Sequence, residues 1–227
     1  MKKFKPTADN IILVITYVLI IVTGIMYKQP FYRMLPLLVS GIVMFLQSYA
    51  NRYGYLLGGA NCLLYTIVHI HIGTYGAALH DIAISLPMQL FTFFYWKKHA
   101  YKKSVVFRKL SGKMRVVLTI LFVGIFAVMY FWLIKLGSEY AFLDAFTTIL
   151  GTLVVALTML AYIEYAYLWP INTFLSIILC VQVFLNEPSQ ITYLVSSLHG
   201  FYCVIRALIN VMKLYNKQKS EVLESEN

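Results

Sequence analysis

The fold is decided by residues 142–185, which read FLDAFTTILGTLVVALTMLAYIEYAYLWPINTFLSIILCVQVFL. Glu164 divides this stretch into two apolar runs, 142–163 and 165–185. A helix needs about 20 apolar residues to cross a bilayer, so both runs are long enough. Neither run alternates with a period of two, as a strand of a membrane barrel would. The stretch therefore predicts two consecutive transmembrane helices.

Six further apolar runs lie outside this stretch, at about 10–27, 34–50, 54–72, 80–96, 116–136 and 190–212. The composition agrees, because 60% of the 227 residues are hydrophobic and 12% are charged, against about 25% charged in a soluble domain. The three cysteines all lie inside apolar runs, which excludes a disulfide-stabilised secreted protein. We therefore expect an all-α polytopic membrane protein with eight transmembrane helices.

Basic residues set the predicted orientation, because loops on the cytoplasmic side of a membrane are enriched in lysine and arginine. With the N-terminus inside, the outside loops hold only Lys28, Arg33 and Lys135, whereas most of the 19 basic residues lie inside. The densest group is Lys97, Lys98, Lys102, Lys103, Arg108, Lys109, Lys113 and Arg115. We therefore expect both termini in the cytoplasm. The net charge of +10 is explained by topology and contact with anionic membrane lipid, and we expect no nucleic-acid partner.

The sequence contains an internal repeat, which is seen when the chain is aligned with itself so that Tyr53 falls on Tyr165. Tyr53-Gly54-Tyr55-Leu56 then matches Tyr165-Ala166-Tyr167-Leu168, Ser85-Leu86 falls on Ser197-Leu198, and Leu38 falls on Leu150. Corresponding helices are four spans apart, an even number, so the two halves share one orientation. Parallel repeats of this kind are typical of transporters that bind their substrate near the membrane midplane, where the halves meet.

This repeat divides the chain into five predicted parts. They are an extra N-terminal helix (1–33), a three-helix repeat (34–96), a basic cytoplasmic loop with a linker helix (97–136), a second three-helix repeat (137–212) and a cytoplasmic tail (213–227).

Polar side chains at membrane depth are costly and are often functional. Asn61 and Asn172 are within one residue of repeat equivalence, and Gln89 and His199 lie near the middle of the fourth and eighth spans. Together they predict a ring of neutral donors and acceptors that would bind a solute carrying hydroxyl or amide groups. The alternative for each residue is a hydrogen bond that holds two helices together.

Aromatic side chains lie near these amides in the sequence. We expect Tyr65 and Trp169 to stack on a flat heterocycle, with an additional cation–π attraction if that ring is charged. The alternative is packing against lipid or membership of the aromatic belt at the membrane surface.

Enzymatic and energy-coupling signals are missing from the sequence. His69 and His71 point about 200° apart on a helix, so they cannot bind one metal ion. There is no phosphate-binding glycine loop and no nucleophile elbow, and we expect neither a cofactor nor enzymatic activity. The apolar runs carry no acidic residue at mid-span, which favours passive facilitation over ion coupling.

These features resemble the PnuC family of bacterial vitamin transporters over about residues 34–212. The second half resembles it at 142–150, Tyr162-Ile163-Glu164 and Leu168-Trp169, and the first at Asn61, Pro87-Met88-Gln89 and Tyr95-Trp96-Lys97-Lys98. The resemblance implies a SWEET-like arrangement of three helices, a linker helix and three helices. One departure is Ala166, which takes the first position of a Trp-x-x-Trp pair that nicotinamide riboside transporters carry in the seventh span.

The resemblance further implies facilitated diffusion of a vitamin precursor, typically nicotinamide riboside for NAD salvage, across the bacterial inner membrane. A separate cytoplasmic salvage kinase would then trap the substrate by phosphorylation. We expect Asn61, Gln89, Asn172 and His199 to bind its polar groups, Trp169 and Tyr65 to stack on its ring, and the chain to be able to form a homo-oligomer. The alternatives are a thiamine, riboflavin or nucleoside transporter of the same family, a membrane-embedded enzyme, and a non-transporting receptor or assembly factor.

Overall fold

A computed structural model describes residues 8–71, 78–79, 81–135, 137 and 140–226, and helices dominate these ranges. The main helices are α1 (Ala8–Met26), α2 (Phe31–Ser48), α3 (Tyr53–His71), α4 (Leu86–Lys98), α5 (Gly112–Lys135), α6 (Ala141–Met159), α7 (Tyr165–Asn186) and α8 (Ile191–Glu226). A π-helical segment, Asp81–Ser85, leads into α4, and a 3₁₀ turn, Pro188–Gln190, leads into α8. A minimal hairpin pairs β1 (Ala100–Tyr101) with β2 (Ser104–Val105).

Each predicted apolar run coincides with a helical segment, so the prediction of an all-helical membrane protein is confirmed. Within the described ranges, six helices are long and apolar enough to cross a membrane, namely α1, α2, α5, α6, α7 and α8. The fourth run is divided between the π-helical segment and α4, which by itself has 13 residues. The molecule is a multi-pass membrane protein.

Two helix boundaries differ from the predicted runs. The sixth run extends to residue 163, but α6 ends at Met159 because the chain turns at Ala161, whose φ is +58°. The eighth run ends at residue 212, whereas α8 continues to Glu226. The residues beyond 212 are too polar to be recognised from hydropathy, and their helical structure depends on packing described below.

Six helices contact one another in a closed cycle. In this cycle α2 packs against α3, α3 against α4, α4 against α6, α6 against α7, α7 against α8, and α8 against α2. The remaining two helices lie outside it, with α1 packed against α2 and α8 and α5 packed against α6. The closed cycle surrounds the space in which a solute site can form.

Polar contacts attach α1 along its length to the seam between α2 and α8. The Asp9 carboxylate accepts hydrogen bonds from Tyr49, which directly follows α2, and from Tyr202 and Arg206 of α8. Further along the helix, the Tyr17 hydroxyl donates to the Leu38 carbonyl at 2.7 Å. Since Asp9 binds residues from both helices, α1 fixes α2 and α8 relative to each other.

The end of the bundle that carries the basic cluster 97–115, which we call the basic end, is closed by protein. The chain at 99–111, the plug, lies beneath the helices and buries Val105, Phe107 and Leu110 in the largest apolar cluster of the molecule. Trp96 and Tyr165 are fully buried in the same cluster. The predicted basic loop is therefore a packed element at this end of the bundle.

The extension of α8 beyond residue 212 holds the plug in place. Gln218 Oε1 accepts a hydrogen bond from the Phe107 amide at 3.0 Å, and Gln218 Nε2 donates to the Val105 carbonyl at 2.9 Å. On the other side, the Arg108 amide donates to the Ala161 carbonyl, and the Ile163 amide donates to the Arg108 carbonyl, both at 2.9 Å. The basic end thus has a defined, hydrogen-bonded structure.

Candidate functional site

A cavity of about 300 Å³ lies inside the cycle of helices, in the half nearer the basic end. Five helices line it: Met44 and Gln47 of α2, Tyr55 of α3, Gln89 and Thr92 of α4, Gly151, Val154, Val155 and Thr158 of α6, and Trp169 and Asn172 of α7. Among the described residues, none of those lining the cavity is charged. The site is therefore suited to a small solute with neutral polar groups and an apolar body.

Gln89 reaches the cavity because α3 carries a glycine opposite it. A Cβ built on Gly58 would lie 2.9 Å from Gln89 Oε1, so the amide occupies the space that a larger residue at position 58 would fill. Within the described chain, Gln89 Oε1 is buried and has no hydrogen-bond partner. An unpaired buried carbonyl oxygen costs about 1–3 kcal/mol, so this atom is positioned to accept a hydrogen bond from a ligand.

Asn172 lies on the other side of the cavity in a similar setting. A Cβ built on Gly151 of α6 would lie 3.2 Å from Asn172 Nδ2. Asn172 Oδ1 is also buried without a hydrogen-bond partner in the described ranges. The cavity therefore presents two unpaired amide oxygens, from Gln89 and Asn172.

Trp169 supplies the aromatic surface of the cavity. It lies one turn before Asn172 on α7, so both side chains emerge on the same face of the helix. Its ring is tilted at 50° to that of Tyr165, with 6.1 Å between the ring centroids. Pro170 follows Trp169 directly and removes one backbone hydrogen-bond donor from the first turns of α7.

The other three predicted site residues lie outside this lining. Asn61 is buried and donates to Ser40 Oγ at 2.8 Å, and the Tyr65 hydroxyl lies 3.2 Å from the same oxygen. His199 is buried, with Nδ1 3.2 Å from Thr16 Oγ1 and Nε2 3.4 Å from the Gly41 carbonyl. The structure thus brings Gln89, Trp169 and Asn172 together, and it places Asn61, Tyr65 and His199 in contacts between helices.

Several lining residues were not identified from the sequence. Gln47 and Thr158 lie near the ends of their helices, where polar residues are common and hydropathy does not single out a binding residue. Tyr55 is one of many tyrosines, and Gly151 carries no side-chain signal at all. Gln47 and Thr158 are as far apart in the chain as the two asparagines of the predicted ring, and this spacing is the sequence feature that could have identified them.

The cavity is closed towards the basic end and continues in the opposite direction. The Trp96 indole of α4 donates to the Thr158 carbonyl of α6 at 2.9 Å and joins these helices below the cavity. Away from the basic end, a second cavity of about 290 Å³ shares Gln89, Gly151 and Val155 with the first and lies along the same two helices. Its polar lining residues are Ser85, Thr147, Thr148 and Thr152. The second cavity therefore extends the polar lining between α4 and α6 away from the plug.

Within the described ranges, no group of three or more His, Cys, Asp or Glu side chains is arranged to hold a metal ion. The lining offers amides, hydroxyls and aromatic rings, which can form hydrogen bonds and stacking contacts with a ligand.

A family model and a solved structure are similar to this chain. A family model described as nicotinamide mononucleotide transporter matches residues 30–212. Among solved structures, the crystal structure of the vitamin B3 transporter PnuC is similar, with a TM-score of 0.75, 19% sequence identity and 94% of each chain covered. At that identity the structural match shows the fold. No curated protein sequence matches this chain.

Proposed function

The chain belongs to the nicotinamide mononucleotide transporter family, and we propose that it carries a vitamin precursor, nicotinamide riboside, across a bacterial inner membrane by facilitated diffusion. The observation that supports this most strongly is the uncharged cavity, in which two unpaired amide oxygens lie beside the Trp169 ring. The ribose hydroxyls and the carboxamide of the riboside would donate to Gln89 and Asn172. The pyridinium ring would stack on Trp169, which stabilises a delocalised cation by about 0.5–2 kcal/mol.

The absence of basic residues from the described lining favours the riboside over the mononucleotide. A phosphate group carries up to two negative charges at neutral pH, and burial of an unpaired charge is strongly unfavourable. The pyridinium charge of the riboside is spread over an aromatic ring, so the cavity accommodates it without an acidic partner. We therefore expect the unphosphorylated compound to bind and the phosphorylated one to be rejected.

The proposed architecture is two parallel three-helix repeats, α2–α4 and α6–α8, joined by α5 and preceded by α1. Support comes from the turns that follow α2 and α6, where Ala50 and Ala161 both have a positive φ. The Ala50 amide donates to the Gln47 carbonyl, and the Ala161 amide donates to the Thr158 carbonyl. Ala50 and Ala161 are one residue closer together in the chain than Tyr53 and Tyr165, the pair that aligns the two halves of the sequence.

The proposed transport cycle requires the basic end to open, because the plug and the Trp96–Thr158 hydrogen bond close the cavity there. If the basic end is cytoplasmic, this structure has its cavity closed to the cytoplasm. Because the described lining residues include no acidic side chain, we expect no proton or cation relay, and release is driven by the concentration difference. A cytoplasmic kinase that phosphorylates the substrate would maintain that difference.

A binding panel tests the substrate. The purified protein is heated in detergent with nicotinamide riboside, nicotinamide mononucleotide, nicotinamide, thiamine, riboflavin or nucleosides. A ligand at 100 times its Kd stabilises the protein by about 2.7 kcal/mol, so the riboside is expected to raise the melting temperature and the mononucleotide is not. A shift with another vitamin alone would assign the same cavity to that vitamin.

Transport assays test the mechanism. In proteoliposomes without an ion gradient, labelled nicotinamide riboside is expected to equilibrate with the outside concentration and not to exceed it. Accumulation above that concentration when a sodium or proton gradient is imposed would refute uniport.

A further inference from the structure

Two asparagine side chains at equivalent positions of the proposed repeats have different surroundings. On α3, Asn61 Nδ2 donates to Ser40 Oγ at 2.8 Å and to the Pro36 carbonyl at 3.2 Å. On α7, Asn172 lies against Gly151, which precedes it by the same number of residues as Ser40 precedes Asn61. The hydroxyl that engages the amide in the first pair is absent from the second.

Backbone hydrogen bonds support the equivalence of the pairs Ser40–Asn61 and Gly151–Asn172. At the start of α3 the Tyr55 amide donates to the Arg52 carbonyl, and at the start of α7 the Ala166 amide donates to the Ile163 carbonyl. These two bonds are as far apart in the chain as the bonds in the turns at Ala50 and Ala161. The separation that places Tyr55 on Ala166 also places Asn61 on Asn172 and Ser40 on Gly151. A serine at position 151 would therefore stand where Ser40 stands, with its Cβ 3.2 Å from Asn172 Nδ2.

This difference decides which asparagine can bind a ligand. Asn61 is buried with its amide nitrogen bonded to two oxygens, and although its Oδ1 has no partner among the described residues, it lies outside the cavity lining. Asn172 lines the cavity, and so does Gly151. We propose that Gly151 sets the affinity of the site by leaving the Asn172 amide free to donate to an uncharged oxygen of the substrate, such as a carboxamide or sugar oxygen.

This inference rests on the proposed function and is tested by calorimetry with nicotinamide riboside as the probe. Gly151→Ser is expected to raise the Kd about tenfold, because its hydroxyl would occupy the donor that the ligand needs. Gly151→Ala adds the Cβ, 3.2 Å from Asn172 Nδ2, without the hydroxyl, and is expected to raise the Kd less than Gly151→Ser does. Ser40→Ala removes the corresponding hydroxyl outside the cavity and is expected to leave the Kd unchanged.

A double-mutant cycle shows whether the serine acts through Asn172. Asn172→Ala is expected to weaken binding about tenfold, and Gly151→Ser is expected to add nothing in that background. Equal weakening by Gly151→Ser with and without Asn172 would overturn the inference. So would equal effects of Gly151→Ser and Gly151→Ala, because space and not hydrogen bonding would then be the cause.

A second variant keeps the inference testable if Gly151→Ser does not fold. Asn172→Asp retains the acceptor oxygens and removes the amide donor, so it is expected to bind the probe more weakly than the unaltered protein. Binding of Asn172→Asp with unaltered affinity would overturn the inference. If the unaltered protein binds none of the vitamins in the panel, the proposed function itself fails, which is a different result from normal binding by Gly151→Ser.

Discussion

Gln218→Ala is expected to loosen the plug without unfolding the helices. The change removes the acceptor of the Phe107 amide and the donor to the Val105 carbonyl, and Gln218 itself is buried. Each buried backbone group left without a partner costs about 1–3 kcal/mol, so the two together cost about 2–6 kcal/mol if the plug stays in place. Since water can enter when the plug moves, we expect the lower end of that range.

Hydrogen exchange followed by mass spectrometry measures this effect directly. A loss of about 2 kcal/mol corresponds to roughly 30-fold faster exchange of the amides between Val105 and Phe107, since each 1.4 kcal/mol is a factor of ten. Exchange in α6 and α7 is expected to be unaltered, because opening of the plug is local.

Matched variants separate this effect from general destabilisation. Lys217→Ala changes a neighbouring side chain that is 54% exposed and forms only a 3.9 Å pair with Glu221, so its exchange is expected to match that of the unaltered protein. Gln218→Glu retains the acceptor for the Phe107 amide and loses the donor, and an intermediate rate is expected. Unaltered exchange at Phe107 in Gln218→Ala would refute the view that this side chain holds the plug.

Three further predictions concern the site and the attachment of α1. Trp169→Ala is expected to raise the Kd for nicotinamide riboside about 5- to 150-fold, from the loss of about 1–3 kcal/mol of stacking, whereas Trp169→Phe retains most of the affinity; calorimetry measures both. Gly58→Ala places a Cβ 2.9 Å from Gln89 Oε1 and is expected to weaken binding by displacing that amide, whereas Gly124→Ala, which meets open space, leaves the Kd unchanged. Arg206→Ala removes the cation beside the buried Asp9 carboxylate, which keeps its hydrogen bonds from Tyr49 and Tyr202, and is expected to cost about 1.5–3 kcal/mol, visible as a lower melting temperature in detergent; an unchanged melting temperature would show that the pair does not stabilise the fold.

The helices could be predicted from the sequence because lipid imposes a strong constraint on length and hydropathy. The plug could not, because its burial depends on α8 continuing past residue 212 so that Gln218 reaches Val105 and Phe107. The polar extension of α8 gives no hydropathy signal. The lysine-rich sequence of the plug is typical of a solvated loop. The decisive information lies in tertiary contacts between distant parts of the chain.

The candidate site could be predicted from the sequence only in part, for a related reason. Hydropathy fixes the depth of a residue in the membrane but not the direction in which its side chain points around the helix. Gln89 and Asn172 face the cavity, whereas His199, at a similar depth to Gln89, contacts Thr16 and Gly41 instead. The rotation of each helix is set by its neighbours, so depth alone could not separate these cases.

The two proposed repeats differ in side-chain size at the cavity. At the separation that the turns share, Trp169 takes the position of Gly58, and Gly151 takes the position of Ser40. Gly58 gives space to Gln89, Trp169 supplies an aromatic surface, and Gly151 exposes Asn172. A solute with a flat ring at one end and a polar sugar at the other has no symmetry of its own. A ring of two equivalent halves can bind it in one orientation only if the halves differ at the site, and these three positions supply that difference.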